Sequence, residues 1–239
     1  MIARRNWSED EVKKALALYL RTTFSRLHNR NPDIVALAQE IGRTASSVAL
    51  KLVHLASLDD SLPAKGMANA SATDRRVWQA FLNNPESLTS TYDFELPEPR
   101  YGNLAEGMGV DLAVLSSRRV GQELFRETVL TSYQRRCALT GIDDIRLLNA
   151  SHIVAWSSDL LHRMNFRNGI CLSALHDRAF DRHLIAFDAD LRLLIRNDVP
   201  DAAKVALQRG TATHLRLPER FLPDPDLLAR HKQMFDLAA

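Results

Sequence analysis

Between residues 84 and 117 no hydrophobic period survives. Asn84-Pro85, Pro97, Pro99, Gly102, Gly107 and Gly109 interrupt every run that could become a helix or a strand, and residues 81–117 carry one basic side chain against six acidic ones. Such a stretch reads as a linker, because proline removes a backbone donor and glycine leaves the backbone unrestrained. The chain is therefore expected to fold as two lobes, residues 1–83 and 118–239, joined by 84–117. At 239 residues and 46% hydrophobic content, both lobes can bury a core without covalent staples. Residues 1–80 carry 12 Lys/Arg against 8 Asp/Glu, and residues 118–239 carry 18 against 15, which leaves a net charge of +2. Two mildly basic lobes permit a polyanionic partner without requiring one. Two cysteines, Cys137 and Cys171, are too few for a disulfide framework and suit a reducing compartment. No apolar leader follows Met1 and no window is long enough for a membrane span, so a cytoplasmic protein with no membrane partner is expected.

The first lobe reads as helices. Val12, Ala15, Leu16, Tyr19 and Leu20 recur at helical spacing within residues 7–21, behind Ser8 as N-cap and Glu9, Asp10 and Glu11 where the helix dipole favours negative charge. Asn31-Pro32-Asp33 starts a second helix with Ile34, Leu37, Ala38 and Ile41 on its apolar face, stopping at Gly42. Thr44 caps a third, from Ala45 to about Leu58, with Val48, Leu52 and Leu55 inward. Another short helix is expected from Thr73 or Asp74, with Val77, Trp78, Phe81 and Leu82 on one side. Residues 37–48 resemble a helix-turn-helix, and Trp7-Ser8-Glu9-Asp10-Glu11 resembles the opening of a Myb/SANT-type unit. In that arrangement the third helix presents Ser46, Ser47, Ala49, Lys51 and His54 to a major groove. A helical packing unit with no DNA contact is the other reading of the same residues.

From Arg118 the helical period returns, with Val120, Leu124, Phe125, Val129 and Leu130 on one buried face up to Tyr133. Residues 137–141 and 145–150 predict two short strands joined by a turn at Ile142-Asp143-Asp144, and residues 174–182 predict a helix. Residues 184–187 and 191–195 flank Asp188-Ala189-Asp190 as a hairpin, and residues 213–217 supply a further strand. A closing helix is expected over 225–237, with Leu227, Leu228, His231 and Phe235 facing in. The fold class that results is α+β, a helical lobe followed by a small mixed domain.

Within that second lobe, four segments stand in a telling order: Arg136-Cys137-Ala138-Leu139-Thr140-Gly141, Ala150-Ser151-His152-Ile153-Val154-Ala155-Trp156, Asn168-Gly169, and Leu175-His176-Asp177-Arg178-Ala179-Phe180-Asp181. With Arg119-Val120-Gly121-Gln122 and Phe125-Arg126 upstream, about half the chain resembles the HNH endonuclease family, whose ββα-metal finger grips one divalent ion. The resemblance implies that His152 is the general base that deprotonates the attacking water, a role suited to a group that titrates near working pH. It implies that Asn168 fixes the loop and helps orient that base, and that Asp177 and Asp181 supply metal ligands. Four residues apart on a helix, the two carboxylates share a face. Hard carboxylate oxygens favour Mg²⁺ or Mn²⁺ over zinc.

Three departures from the family pattern stand out. Aspartates sit where many members carry metal-binding histidines, which makes His176 a rival ligand. Ser151 precedes the base where many members place Asp or His, so water would fill one ligand position. The paired Cys-x-x-Cys knuckles are missing, so a structural zinc is not expected; a Cys137/Cys171/histidine site is the alternative to two buried structural cysteines. Arg167, Arg178 and Arg182 are the candidate phosphate contacts, and Trp156 and Phe180 are assigned to packing. Taken singly, each residue has a plainer account: a hydrogen-bonded histidine, an Asn-Gly turn, a salt-bridged helix surface. Taken together, the resemblance implies a metal-dependent DNA endonuclease acting in restriction of foreign or modified DNA. A duplex cut needs two active sites or two visits, which a homodimer would supply. The rival expectation, motivated by Ser151 and the ligand set, is a DNA-binding regulator whose finger keeps the fold without the chemistry.

Overall fold

The computed structural model describes residues 5–60, 62, 67, 69–84, 88, 112–155 and 164–238, with 112–120 described as backbone alone. Residues 85–87 and 89–111 of the expected linker therefore lie outside the described residues, as does Trp156. By contact density the chain divides into two units, residues 1–60 with 64–124, and residues 61–63 with 125–239.

In the first unit, helix α1 spans Glu9–Leu20, α2 Pro32–Glu40, α3 Ala45–Ala56 and α4 Ala72–Asn83. Each start has a local cause. Ser8 Oγ accepts from the Glu11 amide at 3.2 Å while the Glu11 carboxylate accepts from the Ser8 amide at 2.9 Å, so two amides that no helical carbonyl reaches are satisfied reciprocally. Asn31 caps α2 ahead of Pro32, and Thr44 caps α3. Ser71 and Asp74 form a second reciprocal cap, so α4 begins at Ala72, one residue before the earlier of the expected starts, Thr73. Val12, Leu16, Leu20, Ile34, Val48, Leu52 and Leu55 are fully buried, and Trp78 meets Tyr19 edge-on at 5.9 Å. Leu82 lies outside this core, 53% exposed, contrary to its expected place on the apolar side.

The buried polar centre of this unit corrects another expectation. Lys51 does not face outward: its Nζ donates to both oxygens of Asp74, at 2.7 and 2.9 Å, and both residues are buried. Ala49 is buried as well, which leaves Ser46 and Leu50 as the exposed positions of α3, with Ser47, Val53 and His54 half-buried. This stripe carries no lysine or arginine.

In the second unit the chain leaves α5, Leu112–Ser132, and enters a tight knuckle rather than the expected first strand. The α5 helix starts six residues before Arg118, inside the stretch read as linker. At residues 137–141, the Cys137 amide donates to the Ile142 carbonyl at 2.8 Å and the Gly141 amide to the Cys137 carbonyl at 3.0 Å. Gly141, at φ +73°, takes the left-handed conformation that closes such a turn. Asp144 then accepts from the Arg146 amide at 3.0 Å and sets a single helical turn at Ile145–Leu147. The first strand, β1, is Leu148–His152, and its antiparallel partner β2 is Gly169–Ser173, with His152 opposite Gly169. Helix α6, Ala174–Asp181, follows directly.

The expected hairpin is present as β3, Ile185–Phe187, and β4, Leu193–Ile195. Residues 213–217 add a single bridge, Arg192 to His214, rather than a strand. Helix α7, Asp201–Gln208, was not foreseen, and α8, Pro225–Leu237, buries Leu227, Leu228, His231 and Phe235 as expected. His231 stacks on Phe180 at 3.7 Å, donates from Nε2 to the Phe180 carbonyl at 3.0 Å, and touches His183. Among the described residues no helix is long and apolar enough to cross a membrane.

Two tests follow from this packing. Lys51→Met would leave the Asp74 carboxylate buried without its ammonium, and chemical denaturation should show a loss of about 3–5 kcal/mol. Burial pushes His231 down to about 4, against 6.5 for a free imidazole, so the unfolded chain takes up the proton first. The stability that neutral His231 contributes is complete above pH 6.5 and is lost as the pH falls toward 4. Denaturation midpoints should decline across that window, and His231→Phe should flatten the decline.

Candidate active site

The β1, β2 and α6 elements make a small platform on which strand alternation sorts the side chains. Successive residues of a strand point to opposite faces. In β1, Asn149 and Ser151 share one face and reach α6, where Asn149 Nδ2 donates to Asp177 at 2.6 Å and Ser151 Oγ donates to its other oxygen at 2.5 Å. His152, next along, goes the other way and stacks on Phe125 of α5, the ring centroids 3.9 Å apart and the planes 9° from parallel. One strand therefore delivers an anchored carboxylate and an imidazole through adjacent residues.

Asn168 fixes the backbone just beyond His152. Its Oδ1 accepts from the Val154 amide at 2.9 Å and its Nδ2 donates to the Val154 carbonyl at 3.1 Å, so one carboxamide satisfies both polar groups of a single residue. The Ile153 amide donates to the Asn168 carbonyl at 2.9 Å, which extends the β1–β2 pairing one step past His152. Asn168 itself is 1% exposed, and Val154 is half-buried.

The other expected site residues separate. His176 is buried; Nδ1 accepts from the Ser173 hydroxyl at 2.9 Å and Nε2 donates to the Leu207 carbonyl at 3.0 Å, with Thr211 Oγ1 at 3.2 Å. Neither nitrogen keeps a lone pair for an ion, and burial holds the imidazole below its usual titration range. His176 thus ties α6 to α7 instead of serving as a ligand. Asp181 lies on the exposed side of α6, 3.6 Å from Arg178, while Asp177 turns to β1, so the two carboxylates do not form the expected clamp. Arg178 and Arg182 are both exposed. Arg167 donates to the Leu222 carbonyl at 3.2 Å and lies 3.7 Å from Asp224, so it braces the loop before α8. Cys137 and Cys171 are buried free thiols, and Cys137 Sγ accepts from the Ser173 amide at 3.2 Å.

Among the described residues no three His, Cys, Asp or Glu side chains gather as a metal cluster. The oxygens that do converge, those of the Asp177 carboxylate and the Ser151 hydroxyl, are hard atoms that suit a magnesium-type ion completed by water, while Asn149 reaches Asp177 through its amide nitrogen. The residues missed in the sequence are Asn149 and Phe125. The i, i+2 spacing of Asn149 and Ser151 was the available signal for the first; the second stood in the Phe125-Arg126 pair upstream.

Asn168→Ala should cost about 1 kcal/mol in thermal or chemical unfolding, because both groups of half-buried Val154 lose their side-chain partner. Hydrogen exchange at the Val154 amide should accelerate in the same variant. Among curated proteins, none matches the chain. The platform itself does have a recognised counterpart, since residues 137–188, from the knuckle through β1, β2 and α6 to the start of the hairpin turn, match the HNH endonuclease family. Over those residues the chain is similar to the HNH endonucleases.

Proposed function

We propose that the second unit hydrolyses phosphodiester bonds of DNA in the presence of a divalent ion, with His152 as general base and restriction of foreign or modified DNA as its biological use. The observation that carries this reading is the junction at the end of β1, where Asp177 is seated on Ser151 and the next residue is His152, with the backbone beyond held by Asn168. A nuclease needs an imidazole that removes a proton from water and a charge that faces the phosphate. Here His152 ends β1, and Asp177 of α6, the residue that would carry the cation, is seated on Ser151, the strand residue just before it.

Asp177, with the hydroxyl oxygen of Ser151, would hold Mg²⁺ or Mn²⁺, and Asn149 steadies the carboxylate through its amide nitrogen. Such an ion, when bound, offsets the charge of the scissile phosphate and of the leaving oxygen. His152 takes the proton of the attacking water, and Asn168 keeps the strand end from drifting while it does so. Arg178, exposed on α6, and Arg182, exposed just past its end, are the cations we assign to backbone phosphates. The cation-free exposed stripe of α3 moves DNA contact away from Lys51 and toward the second unit. Two visits or a homodimer would complete a double-strand cut.

A second reading has a specific observation in its favour. With His176 buried and Asp181 turned toward Arg178, Asp177 is left as the single charged donor, which suits a DNA-binding finger without chemistry. Incubating supercoiled plasmid, modified and unmodified, with Mg²⁺, Mn²⁺ or chelator separates the two. The expected result is metal-dependent nicking, lost on chelation and reduced at least about 100-fold in His152→Ala. DNA binding with no nicking under any of these conditions would establish the regulator instead.

A further inference from the structure

Helix α5 brings more to the platform than apolar cover. Phe125 is buried, and its ring lies parallel to the His152 imidazole at 3.9 Å. The space for that ring comes from the opposite strand. Gly169 is paired with His152 across the ladder, and a Cβ placed on it would lie 2.9 Å from Phe125 Cζ and 2.4 Å from Val129 Cγ2. Its backbone, at φ −126° and ψ 138°, is ordinary strand that any residue adopts. Glycine is needed here for the absent side chain, not for its conformational freedom.

The stacking has a directional consequence. Both ring nitrogens lie in the plane of the imidazole, so a flat surface against one face fixes the plane in which their lone pair and N–H point. Turning the imidazole about its Cβ–Cγ bond would drive a ring edge into Phe125. The next residue anchors the helix along the strand, because Arg126 donates to the Leu148 carbonyl at 2.9 Å and to the Ile145 carbonyl at 3.2 Å. The α5 helix is thus tied at the start of β1 by Arg126 and stacked at its end by Phe125.

We propose that Phe125 is a positioning residue for His152, holding the plane of the imidazole, with Gly169 supplying the room for its ring. The inference rests on the reading of His152 as the base. Misplacing a reacting group by about 1 Å can cost about 100-fold in rate. A flat partner removes that freedom before substrate arrives.

The test compares wild type, Phe125→Leu and Val129→Ala in two measurements on the full chain. One is single-turnover nicking of supercoiled plasmid at varied protein concentration, normalised to folded fraction. The other is the position of the His152 ring resonances in ¹³C-histidine-labelled protein, assigned with His152→Ala. Phe125→Leu should lower the saturating rate by about 100-fold, leave the half-saturating concentration unchanged, and remove the upfield shift that a stacked phenyl ring imposes on His152. Val129→Ala trims the other side chain against Gly169, so it should cost stability yet keep both the rate and the upfield shift. If Phe125→Leu does not fold, Phe125→Met takes its place with a side chain that fills irregular space. Wild-type nicking in the folded leucine or methionine variant, or an equal loss in Val129→Ala, would overturn the proposal. If the wild type itself does not nick, the nuclease reading falls. The resonances then decide alone: an unshifted His152 ring in wild type overturns the stacking role, and an upfield shift lost in the Phe125 variant supports it.

Discussion

A two-stranded ladder of five-residue strands is at the limit of what holds together in water. Everything around β1 and β2 can be understood as the means of holding it. The Ala138 amide donates to the Cys171 carbonyl at 2.8 Å, so the knuckle at residues 137–141 covers a carbonyl of β2 that β1 does not reach. Asn168 seals the open end with its paired bonds to Val154. Phe125 and Asp177 meet the two faces of β1 from α5 and α6. Because the ladder is so short, each support falls within a residue or two of the candidate chemistry, and structural and functional roles coincide.

That crowding explains why identical residue types have unrelated fates. His152 and His176 both belong to the stretch that matches the nuclease family, yet one ends a strand against an aromatic face and the other is consumed by hydrogen bonds linking α6 to α7. Asp177 and Asp181 are one helical turn apart, yet one is anchored by two donors from β1 while the other, on the last residue of α6, pairs with Arg178 in solvent. A polar group acts according to the partners that reach it, and in the interior those partners are few.

The same contrast governs what could be read in advance. Helix starts were legible at Ser8, Asn31, Thr44 and Pro225 because a cap acts within three residues of itself. The order of His152, Asn168 and Asp177 was legible for a similar reason, as short motifs that survive any packing. The strand expected over 137–141 was not, because its apolar run resembles a strand until Gly141 and the Asp144 cap turn the chain, and the true partner of β1 begins 17 residues beyond its end. Lys51 looked like an outward cation because Asp74, 23 residues away, could not be placed beside it from spacing. The α7 helix had weak signals, Pro200 ahead of it and Asp201 in its first turn, that went unread.

The amino-acid sequence by itself determined the α+β class, the positions of most helices, and the presence of an imidazole, an amide and a carboxylate in nuclease order. Those follow from interactions that span a few residues: caps, apolar periods and motif spacing. Only the tertiary structure decided which histidine points where, which aspartate is anchored, that Lys51 is buried, and that Phe125 lies flat on His152 in the space left by Gly169. Each of these depends on two distant segments meeting at one face, and the periodicity of either segment is compatible with more than one meeting.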